Sequence, residues 1–364
     1  MSLLYKPDWE ETKARYLAWW AGEAIGRCAL VVTAPKAGMP AQDPPRLPDR
    51  VEDRWLDFDY LHASNEYRMS RTFYGGEALP VWYPGYPGWD FIPAYLGCRV
   101  ELAETTGWVY PLITDGRLTD HDYRDLAIRP DNRWWQFALK MHRFAAEEAR
   151  GKCLAGIQAI GGCGDILARL RGDQQLAIDC VECPAYVREF DQFLMKLWQE
   201  VFETFYQIIR DVTEGCTNFM HLWSPGRFYI PSNDFAYMIS PRMFREVFLP
   251  SIKAQVEFLD HSLYHVDGIG NFHHVDALCA IPRLQAIQIL PGAGKPSPLH
   301  YMDVLKKVQR AGKGLQIFLE PGEIERALEH LSARRLMIIT HCDTEEEARD
   351  LLKKAEKWSR DTPV

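Results

Sequence analysis

From Asn132 to Trp358 the chain repeats one pattern: a short apolar run, a turn, then a stretch long enough for an amphipathic helix. Helical stretches are expected over Asn132 to Arg150, Pro184 to Glu214, Pro241 to Asp260, Leu299 to Ala311, Gly322 to Leu331 and Thr344 to Trp358. Strand-like runs stand between them at Cys153 to Gln158, Asn218 to Leu222, Leu263 to Val266, Leu284 to Leu290, Gly314 to Leu319 and Leu336 to Thr340. Strands separated by a helical crossover run parallel, because the crossover returns the chain to the end from which it started. Parallel strands are covered on both faces, which accounts for continuously apolar runs such as Cys28-Ala-Leu-Val-Val-Thr33. About seven strands are counted this way, with room for an eighth in the irregular region before Pro130; that favours an α/β fold of the closed (β/α)8 barrel type over an open sheet. All 364 residues then form a single domain, with an N-terminal elaboration over 1–130 that holds the first strand and a regular part over 131–358.

The N-terminal third is less regular. Asp8 to Ala21 reads as a helix, Pro35 to Pro48 as a Pro-rich loop, and Arg50 to Tyr74 as a helix with Trp55, Phe58, Leu61 and Tyr67 on one face. Gly75 to Pro130 is dense in Gly, Pro and aromatics, and a long stretch without periodicity is either a surface excursion or a lid. Twelve tryptophans and sixteen tyrosines exceed the needs of a core this size. Trp82, Tyr83 and Trp89 are therefore expected to wall a substrate cavity, together with Trp223 and Asp234. The net charge of −8 gives no electrostatic reason for nucleic acid. No apolar run approaches the length of a membrane span, and Met1 to Glu11 is too polar for a secretory signal. Nine scattered cysteines, an odd number, suit reduced thiols in a cytoplasm.

In a barrel of parallel strands the active site forms at the carboxyl ends of the strands. Those ends carry His221, Trp223 and Ser224; His265 and Asp267; Glu320; and His341, Cys342 and Asp343. His265 and Asp267 are two apart in an extended run, so they project to the same side. Such a pair can share one metal ion or remain a hydrogen-bonded structural pair, and Cys342 at another strand end supplies a third donor suited to zinc. Cys180-Val-Glu-Cys183 is a lone CxxC at a helix start and reads as structural. His273-His274 reads as a solvated helix start, and Asp165 after Gly161-Gly-Cys-Gly164 as an N-cap.

Three segments resemble the uroporphyrinogen decarboxylase superfamily: Gly164 to Gly172, Met238 to Lys253, and Glu320-Pro321. The resemblance implies a (β/α)8 barrel over about residues 130–358, in a superfamily that also holds cobamide-dependent methyltransferases. The decarboxylases' Arg-Gln-Ala-Gly-Arg-Tyr segment is replaced here by Ala34-Pro-Lys-Ala-Gly-Met, which argues against porphyrinogen decarboxylation. The methyltransferase branch binds zinc through His-x-Cys and a later Cys. His265 matches the His, Asp267 stands in place of the first Cys, and Cys342 matches the second. The resemblance thus implies zinc-dependent methyl transfer on a small molecule with a corrinoid on a partner protein, Glu320 as fourth ligand or general acid, and His221 as proton shuttle. A metal-free lyase using His265 and Asp267, and a barrel that only binds a small ligand, are the alternatives.

Overall fold

The computed structural model describes residues 2–84 and 91–361. Its centre is a seven-stranded sheet in the order Thr72–Gly76, Ala29–Pro35, Leu336–His341, Gly314–Phe318, Ala286–Leu290, His261–Asp267 and Phe228–Tyr229. Every pairing is parallel except that of Thr72–Gly76 with Ala29–Pro35. The helices follow the strands in alternation, so the fold is α/β with a parallel sheet at its centre, as the apolar runs demanded. Leu315, Ile317, Leu336, Ile338, Leu30 and Val32 are fully buried.

Three corrections concern elements. The stretch Arg50 to Tyr74 is not one helix: Val51–Leu56 and Phe58–Ser70 are separate, and Thr72–Gly76 is the antiparallel edge strand. Asp57 separates them, its carboxylate accepting from the Tyr60 N–H to cap the second. In the irregular region the short strand Val81–Trp82 pairs in parallel with Leu154–Ala155, and Arg99–Leu102 forms a hairpin with Gly107–Tyr110. The strand expected at Asn218 to Leu222 ends early. Cys216–Thr217 is the paired segment, Asn218 bridges to Ile157, and the chain then turns through His221 at φ 53.

The longest helix, Pro184–Thr213, shows how the layers lock. Val187, Phe190, Leu194, Trp198, Val201, Phe205 and Ile209 recur at helical spacing and are all buried. Burial of each large side chain contributes about 1.5–3 kcal/mol. Trp198 also donates its indole N–H to the Gly161 carbonyl at 3.0 Å, fixing this helix against the glycine-rich turn. The buried Arg27–Glu77 pair ties the start of the first strand to the segment after Thr72–Gly76. No helix among the described residues is long and apolar enough to cross a membrane.

Candidate functional site

His265 and Asp267 stand on one side at the end of the His261–Asp267 strand, their Nε2 and Oδ2 atoms 3.9 Å apart. Asp234 joins them from a different element, the turn Asp234–Met238, and the three side chains offer ligand atoms within 4.8 Å of one another. Among the described residues this is the group of three or more potential metal ligands that the fold draws together. One Asp267 oxygen, Oδ1, is buried without a hydrogen-bond partner. Gly292, at φ 99, passes close beside it, and a Cβ there would lie 3.8 Å from that oxygen.

Behind the histidine runs a polar relay through the sheet. His265 Nδ1 bonds to Gln288 Oε1, Gln288 Nε2 donates to Gln316 Oε1, and Gln316 Nε2 points at the Met337 sulfur at 3.6 Å. The thioether can only accept, which fixes both amide orientations in turn. The Gln288 oxygen therefore faces the imidazole, Nδ1 carries the proton, and the Nε2 lone pair points towards the carboxylates. That is the arrangement that orients metal-binding histidines. Sequence reasoning passed over Gln288 and Gln316, although each is the lone polar residue inside an apolar strand, Ala286–Leu290 and Gly314–Phe318.

The glycine-rich turn has a role other than capping. Gly164, not Asp165, is the N-cap of the helix Asp165–Arg171. The buried Asp165 carboxylate instead accepts from Ser232 Oγ at 2.9 Å and from the Phe235 N–H at 3.0 Å, holding the turn that presents Asp234. Gly164 packs on Asn233, leaving no room for a side chain, and its N–H donates to Asp191 at 2.7 Å. Burial pushes both Asp165 and Asp191 up to about 7. For an acid raised in the folded state, the stabilising contribution is complete below its unfolded pKa near 4 and is lost as pH rises through 7. Asp191→Asn should therefore be more stable than the wild type above pH 7, by of order 2–4 kcal/mol, with the difference vanishing towards pH 4. Thermal unfolding of both proteins across that range checks it, and a pH-independent difference would refute the role of the charge.

Other expected site residues fall elsewhere. Cys342 is not part of the group: it is buried and lines a separate cleft of about 520 Å³ with Glu320, His341, Asp343 and Glu347. The reason is strand parity, since His341 faces the rim and the next residue turns to the helix layer. Burial pushes its thiol up, away from the thiolate form. Glu320 is exposed and begins a short turn, its N–H donating to Glu323. Trp223 is buried against Trp9 and Tyr16, with its indole N–H on the Thr213 carbonyl, and is a packing residue. Trp82 is likewise fully buried, against Phe144. Tyr83 sits nearer the rim, 6.0 Å from the His221 ring, with its hydroxyl on the Ala159 N–H. Trp89 lies outside the described residues. His274 is no solvated helix start: it is buried, stacks on Phe244 and bonds to the Ala236 carbonyl.

His221 lines a second cavity, of about 650 Å³, together with Thr33, Arg68, Arg71 and His341. Burial, and behind it the Arg68 charge, hold His221 down to about 3, so its ring is neutral at physiological pH.

No family model matches this chain, and no curated protein matches it. Among solved structures, a methyltransferase from Methanosarcina mazei superposes on it with a TM-score of 0.61, at 12% identity, over 95% of this chain and 98% of that one. A likeness at that identity is one of fold.

Proposed function

We propose that this protein is a zinc-dependent methyltransferase on a closed (β/α)8 barrel of the uroporphyrinogen decarboxylase type, with Asp234, His265 and Asp267 as the metal ligands. Closure is supported by the smaller pairings. Val81–Trp82 runs parallel to Leu154–Ala155, and Ile157 bridges in parallel to Asn218, continuing the strand sequence beyond the seven-stranded sheet. The observation that carries the function is the convergence of two carboxylates and one oriented imidazole at the strand ends.

The donors fit a small divalent ion. Asp234, His265 and Asp267, whose ligand atoms lie within 4.8 Å of one another, would hold it with nitrogen and oxygen donors of the kinds zinc takes. The orphaned Asp267 oxygen lies beside the same space. Bound there, zinc supplies a Lewis acid that lowers the pKa of a thiol or oxygen on the methyl donor or acceptor. His265 is held in one tautomer by Gln288, and Asp234 is held by the Asp165-anchored turn, so the protein side of the site is preorganised. Two carboxylates and one imidazole make a harder site than one rich in thiolate, which suits an oxygen acceptor as well as a thiol. The methyl carrier in this reading is a corrinoid on a partner protein, and the acceptor is a small molecule.

Protein purified without chelators is expected to contain zinc and to demethylate a free methylcorrinoid in the presence of a thiol or phenolic acceptor. Chelation should abolish the transfer and added zinc restore it. Transfer that is indifferent to chelation would overturn the proposal.

A further inference from the structure

The cavity beside His221 has a charge pattern that the metal site does not explain. Arg68 and Arg71 lie one helical turn apart at the end of the helix Phe58–Ser70 and both face into it. Each is partly buried, and among the described residues neither meets a carboxylate. Arg68 donates only to neutral groups, Asn65 Oδ1 at 2.9 Å, the Val81 carbonyl at 2.8 Å and the Tyr74 hydroxyl at 3.4 Å. Arg71 reaches the Pro40 carbonyl and Gln42 Oε1 with Nη2, while its Nε is buried without a partner. Three other partly or fully buried guanidiniums are neutralised by a carboxylate: Arg27 by Glu77, Arg171 by Asp179 and Arg227 by Glu203. Two partly desolvated cations side by side repel each other, and that cost is relieved when an anion enters between them.

The remaining walls are largely apolar, with Phe219, Phe318 and Ile339 among them. We infer that this cavity binds a small carboxylate with an apolar body, its carboxylate held by the Arg68 and Arg71 guanidiniums. The planar fork of arginine matches the two oxygens of a carboxylate. The apolar walls favour a carboxylate over a phosphate, because the dianion costs more to strip of water. The cavity volume of about 650 Å³ is in the range that buries such a ligand. This inference stands apart from the metal reading, because none of the three proposed metal ligands lines the cavity.

Calorimetric titration of the chelator-treated full chain with benzoate, benzamide and phenyl phosphate tests it without the metal. Benzoate is expected to bind at least tenfold more tightly than benzamide and no more weakly than phenyl phosphate. Arg71→Gln should weaken benzoate tenfold or more and leave benzamide unchanged. Arg68→Gln should do the same, but that residue also supports Asn65 and Val81, so Arg71→Gln is the deciding variant. Absence of benzoate binding, equal binding of benzoate and benzamide, tighter binding of phenyl phosphate, or unchanged benzoate affinity in Arg71→Gln would each overturn the inference.

Discussion

His265→Ala and Asp267→Ala are expected to lose zinc, with affinity falling by at least about 100-fold, whereas Cys342→Ser keeps it. The contrast follows from placement. His265, Asp267 and Asp234 bring their ligand atoms within 4.8 Å of one another. The Cys342 sulfur lies in another cleft, protonated and turned towards the helix layer. Asp234→Ala should resemble the first two. Gln288→Leu should lower affinity by about 10–100-fold with every ligand still in place, because the imidazole loses the bond that sets its tautomer. Asp267→Cys should retain zinc and shift acceptor preference towards thiols, since a thiolate is the softer donor. Elemental analysis and competition with a chromogenic chelator measure zinc binding in all six variants, and the methyl-transfer assay measures the acceptor preference of Asp267→Cys. Loss of zinc in Cys342→Ser with retention in Asp234→Ala would replace this ligand set by one that includes the thiol.

Glu77→Ala should destabilise the fold by about 3–5 kcal/mol, more than any surface ion pair in the chain. Glu77 is 0% exposed and Arg27 5%. Arg27 grips the carboxylate with two nitrogens, at 2.7 and 3.1 Å, and the Leu30 N–H donates to it as well. The Glu77 carbonyl in turn accepts from the Tyr16 hydroxyl at 2.8 Å. Removing the carboxylate strands a buried guanidinium and an unpaired backbone N–H inside the junction of the first strand and the N-terminal helix Trp9–Ala21. The double variant Arg27→Met with Glu77→Leu should recover most of the loss, because no charge is then left without its counter-ion. Urea unfolding of the three proteins decides the matter. A double variant as unstable as Glu77→Ala would show that the loss arises from packing and not from the orphaned charge.

Much of this molecule was legible in its residues, and the boundary is physical. Helix and strand periodicity is local, so the alternation after Asn132, the parallel sheet and the shared face of His265 and Asp267 followed from spacing within a few residues. The same logic misplaced Cys342, because a strand end was located without its parity: the residue directly after the rim-facing His341 turns its thiol to the helix layer. Trp223 was assigned to a cavity wall on composition, yet it serves the core against Trp9 and Tyr16.

Gln288 and Gln316 could have been found, since a polar side chain in a doubly buried strand needs a partner in the next strand. Asp234 was named as a substrate contact, with nothing to join it to His265. Its place beside the histidine depends on Asp165, about seventy residues earlier, accepting from the Phe235 N–H. The pairing of Arg68 and Arg71 with a cavity is likewise a matter of which surfaces meet. By itself the sequence determined which elements form and which way each side chain leaves its strand or helix, because those depend on neighbours along the chain. The tertiary structure alone decided which of those side chains share a space, because that depends on long-range packing and on buried hydrogen bonds between distant turns.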